Sequence, residues 1–153
     1  NIDEVKTLSR AVTAISHDHP EGLKGAESVA MAIFLARQSK TKQQIRDYIE
    51  QNYYKIGFTL DEIRGTYEFN ETCQNTVPQA FEAFFEAKDF EDAIRNAVSV
   101  GGDSDTLAAI TGSIAEAYFG VPFNLRKKAE SYIDNDTFRP IHTWLKRFEK
   151  MFP

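Results

Sequence analysis

The sequence predicts an all-α fold, a compact multi-helix domain over residues 1–153 with about eight or nine short helices. Apolar residues recur at helical spacing along most of the chain, and helix-starting or helix-ending residues separate these stretches. No segment shows the sustained alternation of a half-buried strand, and the only β-like run covers residues 97–100. A chain of 153 residues with 42% apolar content can bury a sizeable core.

Caps and helix breakers delimit the first four predicted helices. Residues 2–16 carry apolar side chains at helical spacing, namely Ile2, Val5, Leu8, Val12 and Ile15. Pro20 disfavours a helical conformation at the residue before it and suits the first turn of a second helix, which runs to about residue 38. Thr41 is expected to cap a third helix, and Thr59 with Glu62 predicts a capping box on a fourth.

A loop is predicted at residues 68–76, followed by five further helices. Pro78 is expected in the first turn of the next helix and Asp89 at the cap of the one after it. The helix behind Asp103 carries an apolar stripe of Leu107, Ile110, Thr111, Ile114, Ala115 and Tyr118. Its other sides hold small residues, which predicts a central position. Gly120 ends it, and the last two helices are predicted at residues 122–133 and 138–151. The last helix is expected to turn Phe138, Ile141, Leu145, Phe148 and Phe152 inward.

The net charge, the apolar runs and the cysteine content of the chain limit the kinds of binding partner and the cellular location to be expected. A formal net charge of −5 does not indicate binding to nucleic acid or to anionic membranes. No apolar run approaches the ~20 residues of a membrane span. Cys73 is the single cysteine, which excludes an internal disulfide and fits a reducing compartment. We therefore expect no nucleic-acid or membrane partner and a cytoplasmic location.

The most informative polar stretch is the turn at residues 101–106. Gly101 and Gly102 allow a sharp turn and close approach of a neighbour, and they lead directly into Asp103, Asp105 and Thr106. Two carboxylates and a hydroxyl so close together are suitable ligands for a hard cation. The alternative is a simple helix cap, with Asp103 at the N-cap and with Asp105 and Thr106 in the first turn.

Two other metal-dependent motifs are disfavoured at this turn. An EF-hand loop requires an oxygen ligand where Leu107 stands. An Asp-x-Asp-x-Thr phosphotransferase requires a buried strand before the motif, whereas residues 90–98 have helical periodicity. Since two carboxylates repel a bare phosphate, the Gly-Gly turn favours a metal together with phosphate or sugar rather than phosphate alone.

A second polar cluster lies at residues 16–20. His17 and His19 flank Asp18, and histidines in this arrangement can bind a metal, a phosphate or a sugar. The alternative is two surface histidines beside an aspartate cap. Cys73 is interpreted as a small buried hydrophobic residue rather than a nucleophile.

Several segments resemble one family. Residues 101–106, followed by small residues up to Gly120, resemble the C-terminal signature of the ADP-ribosylglycohydrolases. Residues 16–22 with Gly25 and Ala26 resemble that family's mid-chain segment. Residues 73–80, Phe84 and the helix at 89–97 resemble its approach to the signature, and the segments occur in the family's order.

The resemblance implies an all-α hydrolase that cleaves the bond between ADP-ribose and an acceptor. It further implies two divalent cations, usually Mg²⁺ or Mn²⁺, and a substrate that is an ADP-ribosylated protein or an ADP-ribose-containing small molecule. The residues implied are Asp103, Asp105 and Thr106 as metal ligands, the two aspartates also as catalytic residues, and His17, Gly101 and Gly102 as substrate contacts.

One departure from the family is large. A Thr-Asp-Asp triplet, the family's other metal motif, has no counterpart in this sequence. We therefore expect the chain to be the C-terminal part of such a protein and to carry part of a dinuclear site. Apolar surface left exposed would be covered by the missing N-terminal half or by a second copy. The alternative function is an inactive helical module that binds ADP-ribose or mediates protein contacts.

Overall fold

The computed structural model describes residues 1–133 and 135–151, with the side chains of residues 135, 138, 145 and 148–151 left out. Every regular element in these ranges is a helix, so the predicted all-α class is confirmed. The elements are α1 (Ile2–Thr13), α2 (Pro20–Arg37), α3 (Lys42–Asn52), α4 (Leu60–Ile63), α5 (Cys73–Glu86), α6 (Phe90–Val100), α7 (Ser104–Phe119), α8 (Phe123–Glu130) and α9 (Asn135–Met151).

The chain divides into two compact units, Asn1–Gly120 and Val121–Pro153. The predicted single domain over residues 1–153 stays a prediction. The first unit contains α1 to α7 and carries all of the residues expected at the site. The second contains α8 and α9.

Helix α7 is central in the first unit, as its small residues predict. It packs against α2, α5 and α6. Leu107, Thr111 and Ile114 on its predicted stripe are fully buried. The Thr111 hydroxyl donates to the backbone oxygen of Ala80 in α5 at 2.9 Å, which satisfies a buried polar group and fixes the two helices together.

Three predicted caps are present. Thr41 forms a capping box with Gln44 at the start of α3, and Thr59 forms one with Glu62 at the start of α4. Asp89 accepts a hydrogen bond from the amide of Asp92 at 2.8 Å at the start of α6. These bonds satisfy amides that have no acceptor within the helix.

Helix α5 begins four residues earlier than Val77, where the sequence prediction placed it, so the predicted loop at residues 68–76 is too long. Pro78 lies inside the helix rather than in its first turn. The first four amides of any helix lack an intrahelical acceptor, so a proline six residues in removes only one hydrogen bond. Asn70 supports the early start, because its side-chain oxygen accepts from the amide of Thr72 at 2.9 Å.

Helix α1 lies on α2, and Val5 of its apolar stripe packs against the core, whereas the later part of the stripe does not. Leu8, Val12 and Ile15 are 65%, 69% and 86% exposed, whereas the half-buried residues include Lys6 and Ser9. Helical spacing identifies the helix correctly, but the face that packs is displaced around it toward polar residues. An apolar stripe of this kind on the surface is typical of an interaction site.

In the second unit, Ile141 is exposed, so its predicted inward orientation is wrong. The other helix of the unit, α8, has no buried residue, and its Phe123 is likewise exposed, at 74%. The side chains of Phe138, Leu145, Phe148 and Phe152, also predicted to face inward, lie outside the described residues. Across both described ranges, no helix combines the length and apolarity needed to cross a bilayer.

Candidate functional site

The turn between α6 and α7, residues 101–106, is called the ligand turn below. Gly101 and Gly102 both adopt positive φ, at 83° and 60°. L-amino acids with a side chain rarely adopt this region, so the two glycines let the chain leave α6 and enter α7 in a tight reversal. The reversal places Asp103 at the N-cap position, with Asp105 in the first turn of α7.

The oxygen atoms of the ligand turn are only partly used by the helix. Asp103 occupies the N-cap position, yet its side chain makes no capping hydrogen bond. Asp105 Oδ1 accepts from the amide of Thr106 at 3.1 Å. The pKa of Asp105 is lowered, first by a side-chain hydrogen bond with Asp103 and then by this amide. The two carboxyl groups therefore lie within reach of each other, where a proton or a cation relieves their repulsion.

The loop before α5 covers the ligand turn. A Cβ added at Gly102 would lie 2.6 Å from Tyr67 Cε1, 2.9 Å from Tyr67 Cδ1 and 3.1 Å from the backbone oxygen of Glu68. Glycine is thus required at this position by close approach as well as by its φ angle. The sequence indicated that something approaches the Gly-Gly pair, but it did not identify Tyr67.

The histidine cluster has a partly structural role. His19 Nδ1 accepts from the amide of Glu21 at 3.2 Å and so caps α2, a role that the sequence alternative gave to an aspartate. His17 is exposed, and its Nδ1 lies 2.8 Å from Ser16 Oγ. Gly22 allows the turn to fold back closely, since an added Cβ would lie 3.4 Å from the His17 backbone oxygen. The His17 ring is therefore at the surface beside the start of α2.

The start of α5 contacts both α2 and the Tyr67 side chain that lies on the ligand turn. On one side, a Cβ at Gly25 in α2 would lie 2.9 Å from Cys73 Sγ. On the other side, the Tyr67 hydroxyl donates to the backbone oxygen of Asn75 at 2.8 Å, while the Tyr67 ring lies on Gly102. The structure brings Asp103 and Asp105 together, but no hydrogen bond described for these residues joins His17 to either of them.

Cys73 lies in surroundings that favour the neutral thiol. Its pKa is raised, mainly by burial and further by the nearby carboxylate of Glu21. The pKa of Tyr54 is also raised, again mainly by burial and further by Cys73 and Glu21. Tyr54 is only 6% exposed, and its hydroxyl has no hydrogen-bond partner among the described residues. These groups favour packing over nucleophilic chemistry at Cys73.

The donor atoms of the ligand turn fit a hard divalent cation. Two carboxylates and a hydroxyl are the oxygen ligands that Mg²⁺ and Mn²⁺ prefer, and the turn is held in a cradle that a Cβ would fill. In the part of the chain that the structure describes, no group of three or more His, Cys, Asp or Glu side chains meets at a metal-binding distance. The fit is therefore to part of a coordination shell.

A profile of the ADP-ribosylglycohydrolases matches residues 1–148. The chain belongs to the ADP-ribosylglycohydrolase family. The resemblance stated from its motifs is confirmed.

Individual relatives agree with this assignment. Human ADP-ribosylhydrolase ARH3 is 25% identical over an alignment of 185 residues that covers 89% of this chain and 51% of ARH3. An uncharacterised protein of Archaeoglobus fulgidus is 47% identical over 49 residues, or 31% of this chain and 16% of that protein. A solved structure described as an ADP-ribosylglycohydrolase-related protein complex is 25% identical, with a TM-score of 0.61, over 77% of this chain and 45% of that one.

This member of the ADP-ribosylglycohydrolase family therefore spans about half the length of ARH3 and of the solved relative. The helical fold agrees with that of the solved relative. The roles expected for Asp103, Asp105, Thr106, His17 and the glycine pair stay predictions.

Proposed function

We propose that this chain carries one part of the active site of an ADP-ribosylglycohydrolase, which hydrolyses the bond between ADP-ribose and an acceptor. The observation that carries the proposal is the ligand turn. It presents Asp103, Asp105 and Thr106 together, and the Asp103 side chain is not used as a helix cap. Family membership supplies the reaction class, and the neighbouring carboxyl groups of Asp103 and Asp105 supply a chemical reason for placing it here.

The proposed roles follow from the chemistry of each group. Asp103, Asp105 and Thr106 would hold divalent cations, Mg²⁺ or Mn²⁺. When bound, the cations supply positive charge that orients ribose hydroxyls and water at the glycosidic carbon. The two aspartates would also hold or activate the attacking water. Gly101 and Gly102 would let the substrate approach the backbone.

His17 is proposed as a substrate contact. Its ring is exposed at the start of α2, where an imidazole can donate to a phosphate or ribose oxygen. The substrate class is an ADP-ribosylated protein or an ADP-ribose-containing small molecule. A cytoplasmic location is proposed with it, because the sole cysteine leaves no internal disulfide that an oxidising compartment would favour.

A second function has one observation in its favour. Only two acidic side chains meet at the ligand turn among the described residues, and no larger metal-binding group is found there. This fits an inactive helical module that binds ADP-ribose or another protein. The two functions differ in whether ADP-ribose binding depends on metal.

Calorimetric titration with ADP-ribose separates the two functions. For the hydrolase part-site, binding is expected to require Mg²⁺ and to weaken about tenfold or more in Asp105→Asn, because the cation links the carboxylate to the ligand. The titration without Mg²⁺ is the control. Equal binding with and without Mg²⁺, unchanged in Asp105→Asn, would instead support the module.

The apolar stripe of α1 is proposed as an association surface. Leu8 and Val12 lie exposed on α1, Ile15 lies exposed in the turn after it, and burying them would remove apolar area from water. They would be covered by a second copy of the chain or by the part of the family fold that this chain does not span.

Light scattering tests whether the chain by itself associates through this stripe. We expect a mass above that of a monomer, falling to the monomer mass in Leu8→Gln with Val12→Gln. Val98→Gln is the matched control, because Val98 is also exposed, at 52%, but lies on α6. A monodisperse monomer for the unmodified chain would contradict association of the chain with itself.

A further inference from the structure

The ligand turn has no side chain of its own at its two hinge positions. Gly101 and Gly102 both have positive φ, and glycine moves between backbone conformations more freely than any other residue. The direction in which Asp103 and Asp105 point therefore depends on what restrains the turn from outside. Other parts of the chain approach Gly102 closely, whereas a Cβ at Gly101 would meet nothing within 4 Å.

Tyr67 supplies this restraint. Its ring and the neighbouring Glu68 backbone oxygen lie so close to Gly102 that even a methyl group would not fit between them. The ring packs in a buried cluster that includes Leu60, Val100 and Leu107. Val100 directly precedes the ligand turn, and Leu107 directly follows it. One wall of the turn is thus a side chain from a different segment.

Tyr67 is itself held at both ends. Its backbone amide donates to the Ile63 oxygen at 2.9 Å, at the end of α4. Its hydroxyl donates to the Asn75 oxygen at 2.8 Å, in the first turn of α5. The backbone of Tyr67 is fixed by the first bond, and its ring is fixed by the second bond and by packing, so the ring can transmit the position of α4 and α5 to the ligand turn.

We propose that Tyr67 is a positioning residue for metal binding, and that its ring, pressed on Gly102, sets the direction of the Asp103 and Asp105 carboxylates toward a divalent cation. This inference rests on the proposed function of the ligand turn. Residues outside the direct ligands that orient them typically change metal affinity by about 10- to 100-fold when removed. Tyr67 acts through Gly102 and does not itself bind the metal.

Three variants separate positioning from general stability. Tyr67→Ala removes the ring, and Tyr67→Phe keeps the ring but loses the hydrogen bond to Asn75. Ile63→Ala is the matched control, because Ile63 packs in the same buried cluster and has no described contact with Gly102. Amide NMR spectra report the conformation of residues 101–106 without metal. Added Mn²⁺ broadens the signals of nearby amides and gives the affinity.

In Tyr67→Ala we expect shifted or broadened signals at residues 101–106 and Mn²⁺ binding weakened about tenfold or more. In Tyr67→Phe we expect affinity within about threefold of the unmodified chain, since one neutral hydrogen bond is lost. Ile63→Ala should lower the melting temperature with turn signals and Mn²⁺ affinity retained. If Tyr67→Ala does not fold, Tyr67→Leu replaces it, with the same expectation.

The opposite outcomes are distinguishable. Unchanged turn signals and Mn²⁺ affinity in Tyr67→Ala, with the unmodified chain binding Mn²⁺, would overturn the role of Tyr67 alone. Shifted turn signals with unchanged affinity would overturn it too, as would an equal loss of affinity in Ile63→Ala. If Mn²⁺ does not broaden residues 101–106 in the unmodified chain, the proposed function fails, and the inference fails with it.

Discussion

Replacing Arg46 with methionine is expected to lower the free energy of unfolding by about 3 kcal/mol at neutral pH. Arg46 Nη2 lies 2.6 Å from Glu82 Oε2, and the Glu82 side chain is only 5% exposed. The pKa of Glu82 is raised, mainly by burial and also by Glu86, while the hydrogen bond and the charge of Arg46 lower it and so favour the charged carboxylate. Without Arg46, a buried charge is left unpaired between α3 and α5, which is why the expected loss is large.

The loss of stability in Arg46→Met should depend on pH. Because the folded-state pKa of Glu82 is raised, this residue favours folding at pH below its ordinary pKa, and that contribution is lost as pH rises through the folded value. Removing Arg46 raises the folded pKa further. The cost of Arg46→Met should therefore be greatest near pH 7 and shrink at about pH 4, where Glu82 is protonated.

Urea denaturation at both pH values measures this effect. Arg95→Met is the matched control, because Arg95 pairs with Glu91 at 2.6 Å on the surface, with side chains 74% and 46% exposed. Its expected cost is below about 1 kcal/mol. The double variant Arg46→Met, Glu82→Leu should recover most of the lost stability, since no charge remains buried. Equal costs for Arg46→Met and Arg95→Met would contradict this interpretation.

Replacing both aspartates of the ligand turn, Asp103→Asn with Asp105→Asn, is expected to abolish Mn²⁺-dependent broadening at residues 101–106. Amide oxygens are neutral, so the two changes remove the negative charge that a divalent cation requires. Glu91→Gln with Asp92→Asn is the matched control, because it also removes two charges from the first turn of a helix, α6. Equal loss of binding in the control would show that general surface charge, rather than the ligand turn, attracts the metal.

The predictions that succeeded depend on local chemistry. Thr41, Thr59 and Asp89 cap helices because a side-chain oxygen reaches an amide only a few residues away, and this is visible in the sequence. The central position of α7 follows from small residues around the whole helix. The approach to Gly102 is likewise indicated by the glycine pair.

Three features of the fold do not follow from the sequence patterns. The apolar stripe of α1 identifies a helix, but which face packs depends on the neighbouring α2. Helix α5 begins early because Asn70 and Thr72 organise its start, although Pro78 suggested a later one. Tyr67 lies far from Gly102 in sequence, so no spacing rule connects the two residues.

We propose that this chain carries part of a metal site at Asp103, Asp105 and Thr106. The most direct test is electron paramagnetic resonance of free Mn²⁺ during titration of the unmodified chain. Since three oxygen ligands complete only part of a coordination shell, we predict one weak site per chain, with a dissociation constant of about 10⁻³ M. Two tight Mn²⁺ sites per chain would contradict the claim that the site is partial.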